Sequence, residues 1–193
     1  MKKALLIFLT IILVSTTHAY GFKFMAGGHL AKYAVEPEVV GDEWKNKTGV
    51  LVGGGIELFS VPNISLDIDG FYFRKGSKFK SGTEELDYTL DVISITPLIR
   101  VKFLPGPSPY VLGGGEFSYI LTHKSDDTDI KANYKSFDYG LVFGAGYQMS
   151  MPGASLFFEG RYHLGLANIY KDPLDPDASL KTKALVIIVG IKI

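Results

Sequence analysis

The last stretch of the chain, Leu185-Val-Ile-Ile-Val-Gly-Ile-Lys-Ile193, constrains the fold more than any other segment. Leu185, Ile187, Val189, Ile191 and Ile193 fall on one face of a strand at period two, while Gly190 and Lys192 fall on the other. A soluble domain rarely ends on a strongly apolar strand with a lysine set opposite. A strand that faces lipid on one side and a polar lumen on the other has this pattern. The expectation is a transmembrane sheet that this strand closes.

The other end of the chain agrees. Met1-Lys2-Lys3 is a cationic start, Ala4 to Val14 is apolar apart from Thr10, and Thr17-His18-Ala19 ends the run on a small residue. The run is too short to span a bilayer as a helix and reads as a signal peptide over 1–19. Residues 20–193 then form one domain, with no linker or composition break inside it. The chain has no cysteine, which excludes a disulfide framework and thiolate metal sites. A formal net charge of zero argues against nucleic acid as a partner.

Period-two segments recur at 21–33, 49–60, 63–74, 86–103, 109–122, 136–149, 154–168 and 180–193. Three connections are short and carry proline: Ser60-Val-Pro-Asn63, Pro105-Gly-Pro-Ser-Pro109 and Ser150-Met-Pro-Gly153. Four are longer and polar, at 34–48, 75–85, 123–135 and 169–179. Alternating short turns and long loops predict an all-β, eight-stranded antiparallel up-and-down transmembrane barrel. The proline turns face the periplasm and the four loops face outward. The loops carry Tyr33, Trp44, Tyr134 and Tyr170, which suit contact with surface partners.

Strand parity sorts the side chains. One face gathers uncharged residues, with aromatics in two girdles: Tyr72, Tyr119, Phe137 and Tyr139 near the loops, and Phe22, Phe103 and Tyr147 near the proline turns. Leu58 and Leu121 are assigned to the same face. The opposite face carries Glu57, Asp67, Asp69, Arg100, Lys102, Glu116, Glu159, Arg161, His163 and Lys192, among others. Buried charges persist only when paired, so these residues are expected to form a lumen network of ion pairs. Inward Gly27, Gly53, Gly55, Gly114 and Gly144 are the features that would leave room for a narrow conduit.

Several segments resemble a known family. Ile95–Phe103, Pro109–Gly115, Phe137–Tyr147, Glu159–Asn168 and Val189–Ile193 look like the PorT-type outer-membrane β-barrel family. The resemblance implies an eight-stranded barrel in the outer membrane and no shared catalytic residues. Ile193 departs from the terminal aromatic usual in such barrels, which the assembly machinery reads.

Several groups invite a chemical reading. Arg161-Tyr-His-Leu-Gly-Leu-Ala-Asn168 faintly resembles a stretch of lipid A deacylases, but Gly165 stands where a serine nucleophile is needed. Pairing Glu57 with Glu159, or Asp67 with Asp69, for acid–base work is outweighed by lumen salt bridges. His29 with His163 lacks further metal ligands, and Lys124-Ser-Asp-Asp-Thr-Asp129 lacks the glycine and terminal glutamate of a calcium loop. Neither an enzyme nor a cofactor or metal is expected. The leading reading is a structural or surface-interaction barrel, in contact with outer-membrane lipid and lipopolysaccharide and with the assembly machinery through its last strand. A narrow channel is the alternative, and a soluble barrel holding an apolar ligand is a third possibility.

Overall fold

The computed structural model describes residues 21–37, 42–81, 84–104, 106–126, 128–171 and 178–193. The signal-peptide reading and most of the polar run after Lys171 lie outside these residues. The chain forms eight long strands: β1 (Gly21–Glu36), β2 (Asp42–Val61), β3 (Ile64–Ser81), β4 (Glu84–Lys102), β5 (Ser108–Ser125), β6 (Phe137–Met151), β7 (Ala154–Gly165) and β8 (Ser179–Lys192). Each pairs antiparallel with its sequence neighbours, and β1 pairs with β8, so the sheet closes into an up-and-down barrel. Closure removes every long free edge. At the seam, the Phe22 and Ile193 backbones exchange two hydrogen bonds of 2.9 Å, so the terminal residue is held in the ladder.

The inner-end turns are tight. Pro152 presets φ, and Gly153 takes φ 77°, a conformation that would strain most other residues. Gly106, at φ 85° between Pro105 and Pro107, does the same between β4 and β5.

At the outer end the strands run further than the apolar pattern predicts. Segments read as loops at 34–48 and 75–85 are largely strand, and only β7 stops short, at Gly165 rather than 168. The reason is physical. Above the bilayer both faces of a hairpin meet water, so the alternation that marks a membrane strand disappears. Pairing there rests on cross-strand partners such as Lys78 opposite Asp87.

Two bulges correct the predicted faces. The β2–β3 register shifts between Glu57 and Phe59, so Phe59 and Val61 face lipid in place of Leu58. A second shift beside Asp91 and Val92 leaves Leu121 as the extra residue on β5. Ile120 and His123 therefore both point inward, and Leu121 drops out of the lipid-facing row.

The outer surface is an uncharged belt. Phe22, Tyr72, Phe103, Tyr119, Phe137, Tyr139 and Tyr147 all stand exposed on it.

Candidate functional site: the barrel interior and its outer mouth

The interior is layered. Toward the proline turns, Lys23, Arg100 and Arg161 meet Asp67, Asp69 and Glu159, all of them buried. Lys23 lies 3.3 Å from Asp67 and also pairs with Asp69. Arg100 reaches Asp67 at 3.1 Å and Glu159 at 2.9 Å. Arg161 donates to Asp69 at 2.7 Å and, through Nε, to Glu159 at 2.6 Å. The Tyr110 hydroxyl donates to Glu159 at 2.7 Å, and its ring lies 4.5 Å beneath the Arg100 guanidinium. Each carboxylate faces cations from two different strands, so the cluster ties distant parts of the wall together. Lys192 and Glu57 form a separate pair of 3.0 Å at the inner mouth. Lys102 stays half-buried, with no carboxylate partner among the described residues.

Two phenylalanines stand above the first charged layer. The Phe71 ring lies 5.4 Å from the Arg161 guanidinium and packs on Phe73 at 5.5 Å. Phe73 in turn carries the Lys75 ammonium, 4.9 Å from its ring, and the His163 ring at 5.5 Å. These belong to a second ionic group. Lys75 donates to Glu116 at 2.9 Å, and His163 Nδ1 lies 2.9 Å from the other oxygen of the same carboxylate. Lys75 is thus a lumen residue and not part of an outer loop. Met25, Leu51, Leu90, Val92, Ile120, Phe157, Val186 and Ile188 pack around the phenylalanines, so the lumen is as apolar as it is charged.

The mouth is closed by aromatic rings. Tyr33 is buried inside β1 rather than displayed on a loop, and its hydroxyl lies 3.0 Å from His123 Nε2. Trp44 packs on Tyr33, Phe79 and Tyr88 at 5.6, 4.9 and 5.4 Å. Tyr134 covers His123 at 4.1 Å and stacks on Tyr170 at 5.5 Å. His123 stands above the belt, where burial pushes its pKa down to about 4. A depressed imidazole contributes stability above its ordinary value of 6.5, and that contribution drains away as pH falls toward 4. Tyr33→Phe is expected to lower stability by about 1 kcal/mol, read from the urea midpoint of the vesicle-folded barrel, because it leaves a buried ring nitrogen unpaired.

The inward glycines do not supply open space. A Cβ at Gly27 would collide with the Ile187 carbonyl, one at Gly53 with that of Gly70, one at Gly114 with that of Pro97 and one at Gly144 with that of Gly160. At Gly55 the obstacle is the Asp69 carboxylate. These positions are close backbone approaches in a tightly coiled wall.

Ser118 donates to Glu116 at 3.2 Å, so the hydroxyl of this cluster serves the carboxylate and not the His163 imidazole. A nucleophilic serine would need the reverse arrangement. His29 and His163 flank the same Phe73 ring, at 5.7 and 5.5 Å. Glu57 and Glu159 sit in separate ion pairs, and Asp67 and Asp69 share Lys23. Sequence reasoning missed the aromatic closure and the role of Lys75. The signal was present in the run of Tyr33, Trp44, Phe79 and Tyr88, but no periodicity tied them together.

Comparison with known proteins gives a consistent answer. Residues 15–171 match the model of a family described as the outer membrane protein beta-barrel domain. Among solved structures, the outer membrane protein OprG from Pseudomonas aeruginosa is similar at 13% identity and a TM-score of 0.59, covering 92% of this chain and 97% of that one. Neisserial surface protein A is similar at 13% identity and a TM-score of 0.53, covering 91% and 99%. At these identities the likeness is one of fold. No curated protein matches the sequence.

Proposed function

The chain belongs to the outer membrane protein beta-barrel domain family, and from that premise we propose a barrel without catalysis whose interior serves structure and whose contacts are made at its outer end. It is a small integral protein of the outer membrane. The observation that carries the reading is the charged layer of Lys23, Asp67, Asp69, Arg100, Glu159 and Arg161, none of it more than 2% exposed. Charges held so deeply bind one another and leave no group presented to a substrate. The narrower PorT-type affiliation rests on the five segments from Ile95 to Ile193 and forms part of this proposal. So does recognition of β8 by the assembly machinery.

A narrow conduit is the competing reading. It draws on inward Ser94 and Thr96, whose buried hydroxyls have no hydrogen-bond partner among the described residues. Single-channel recording separates the two. Purified protein in planar bilayers is expected to stay electrically silent. Discrete openings, altered in size by Arg100→Ala, would overturn the structural reading.

A further inference from the structure

The outer surface just above the belt is electrostatically lopsided. On β1 and β8, Leu30 lies opposite Leu185 on the lipid-facing side, and the next outward pair is Lys32 opposite Lys183. Neither lysine has a carboxylate partner among the described residues. Two like charges set directly across a ladder repel and cost stability unless an anion lies between them. Two strands away, the ladder between β6 and β7 ends at Gly140 opposite Gly165, and the Leu166 and Ala167 amides both turn onto the Tyr139 carbonyl. A cavity of about 530 Å³ opens there, lined by Tyr134, Phe137 and Tyr139 together with Lys135 and Lys171. Lys135 donates to the Asn168 carbonyl at 3.0 Å, which holds its ammonium at the cavity edge. On the opposite side of the barrel, at β3 and β4, the outward Arg74 is matched by Asp91 at 2.8 and 3.3 Å. There the first outward cation carries its own counter-ion.

We propose that the arc formed by Lys32, Lys183, Lys135 and Lys171 binds the phosphates of an anionic lipid headgroup in the outer leaflet. Phe137 and Tyr139 receive the apolar part of the same molecule. The arc lies on the first step beyond the uncharged belt, where headgroup phosphates sit. Two of the lining residues, Phe137 and Tyr139, stand exposed on the lipid-facing wall, so an amphiphile reaches the cavity without leaving the bilayer. Basic side chains at a membrane surface each contribute to such binding. The inference rests on the membrane placement proposed above and names the lipid class that this placement would meet.

The test uses the full-length mature barrel folded into phosphatidylcholine vesicles with increasing mole fractions of lipopolysaccharide, read by its urea midpoint. The wild-type midpoint is expected to rise with lipopolysaccharide. The mole fraction needed for half the rise is expected to increase roughly fivefold for each lysine replaced by glutamine. In phosphatidylcholine alone, Lys32→Gln is expected to match or exceed the wild type, because the Lys32–Lys183 repulsion is gone. Lys80→Gln, across the barrel on β3, is expected to leave the titration unchanged. The proposal is overturned if the Lys32→Gln/Lys183→Gln/Lys135→Gln/Lys171→Gln variant responds like the wild type, if Lys80→Gln weakens the response as much, or if millimolar inorganic phosphate reproduces the rise. Failure of the membrane reading would look different: no folding into vesicles and no heat-dependent shift in gel migration.

Discussion

Arg161→Met is expected to lower the stability of the vesicle-folded barrel by about 3–5 kcal/mol, seen as a fall in the urea midpoint and loss of the heat-resistant band. The guanidinium serves Asp69 and Glu159 and lies over Phe71. Its removal leaves the carboxylates of Asp67, Asp69 and Glu159 to be matched by Lys23 and Arg100 alone. That leaves one buried negative charge without compensation. The methionine keeps most of the apolar volume, so the loss reports charge and not a cavity. Adding Asp69→Asn restores the balance, and the double variant is expected to recover more than half of the lost stability. The magnitude decides between two pictures of the lumen. In a hydrated interior, removing one member of an ion pair costs about 0–1 kcal/mol, as at a surface. A midpoint within that range of the wild type would show that water reaches the network and would favour the conduit.

The same charged layer shows what the sequence made legible. Asp67, Asp69, Arg100, Glu159, Arg161 and Lys192 lie opposite long apolar rows, so parity alone places them on one face. Lipid on one side and enclosed charge on the other sharpen that alternation. The pattern fails where its cause does. Above the bilayer water wets both faces, and β2, β3 and β4 continue through residues that carry no period. A bulge shifts parity by one residue without changing composition, so Leu58 exchanges with Phe59, and His123 turns inward beside Ile120. The apolar filling of the lumen is also legible in strand parity. Val186 and Ile188 lie on the same face as Lys192, and Phe71 and Phe73 on the same face as Asp69. An inward apolar residue looks anomalous only if the lumen is assumed to be polar throughout. Which acid meets which base depends on the stagger of all eight strands, and Lys23, far from Asp69 in sequence, reaches it across β2, where Gly55 leaves room for its chain.

Ile187→Arg is the sharper test of how deep the barrel sits. Ile187 is 64% exposed on β8, flanked in register by Gly28 on β1 and Gly160 on β7. Two residues toward the outer end stands Leu185, and Lys183 follows as the first outward charge. Ile187 therefore lies well inside the hydrocarbon layer, with no large neighbour to shelter an arginine and no carboxylate on its face. The cost at mid-depth is about 2–4 kcal/mol, while the same substitution near the interface costs about 0–1 kcal/mol. Phe137→Arg supplies that comparison, since Phe137 starts β6 at the level of the outer girdle, beside Tyr119 at a ring separation of 6.5 Å. Unfolding midpoints in phosphatidylcholine vesicles are expected to separate the two variants by at least 1 kcal/mol on that scale. Equal costs would mean that the belt does not track depth. A barrel with its apolar face turned to water would gain solubility from either arginine and lose nothing. The ordering of the two variants therefore fixes both the side that meets lipid and the height at which the bilayer ends, one step below the paired lysines.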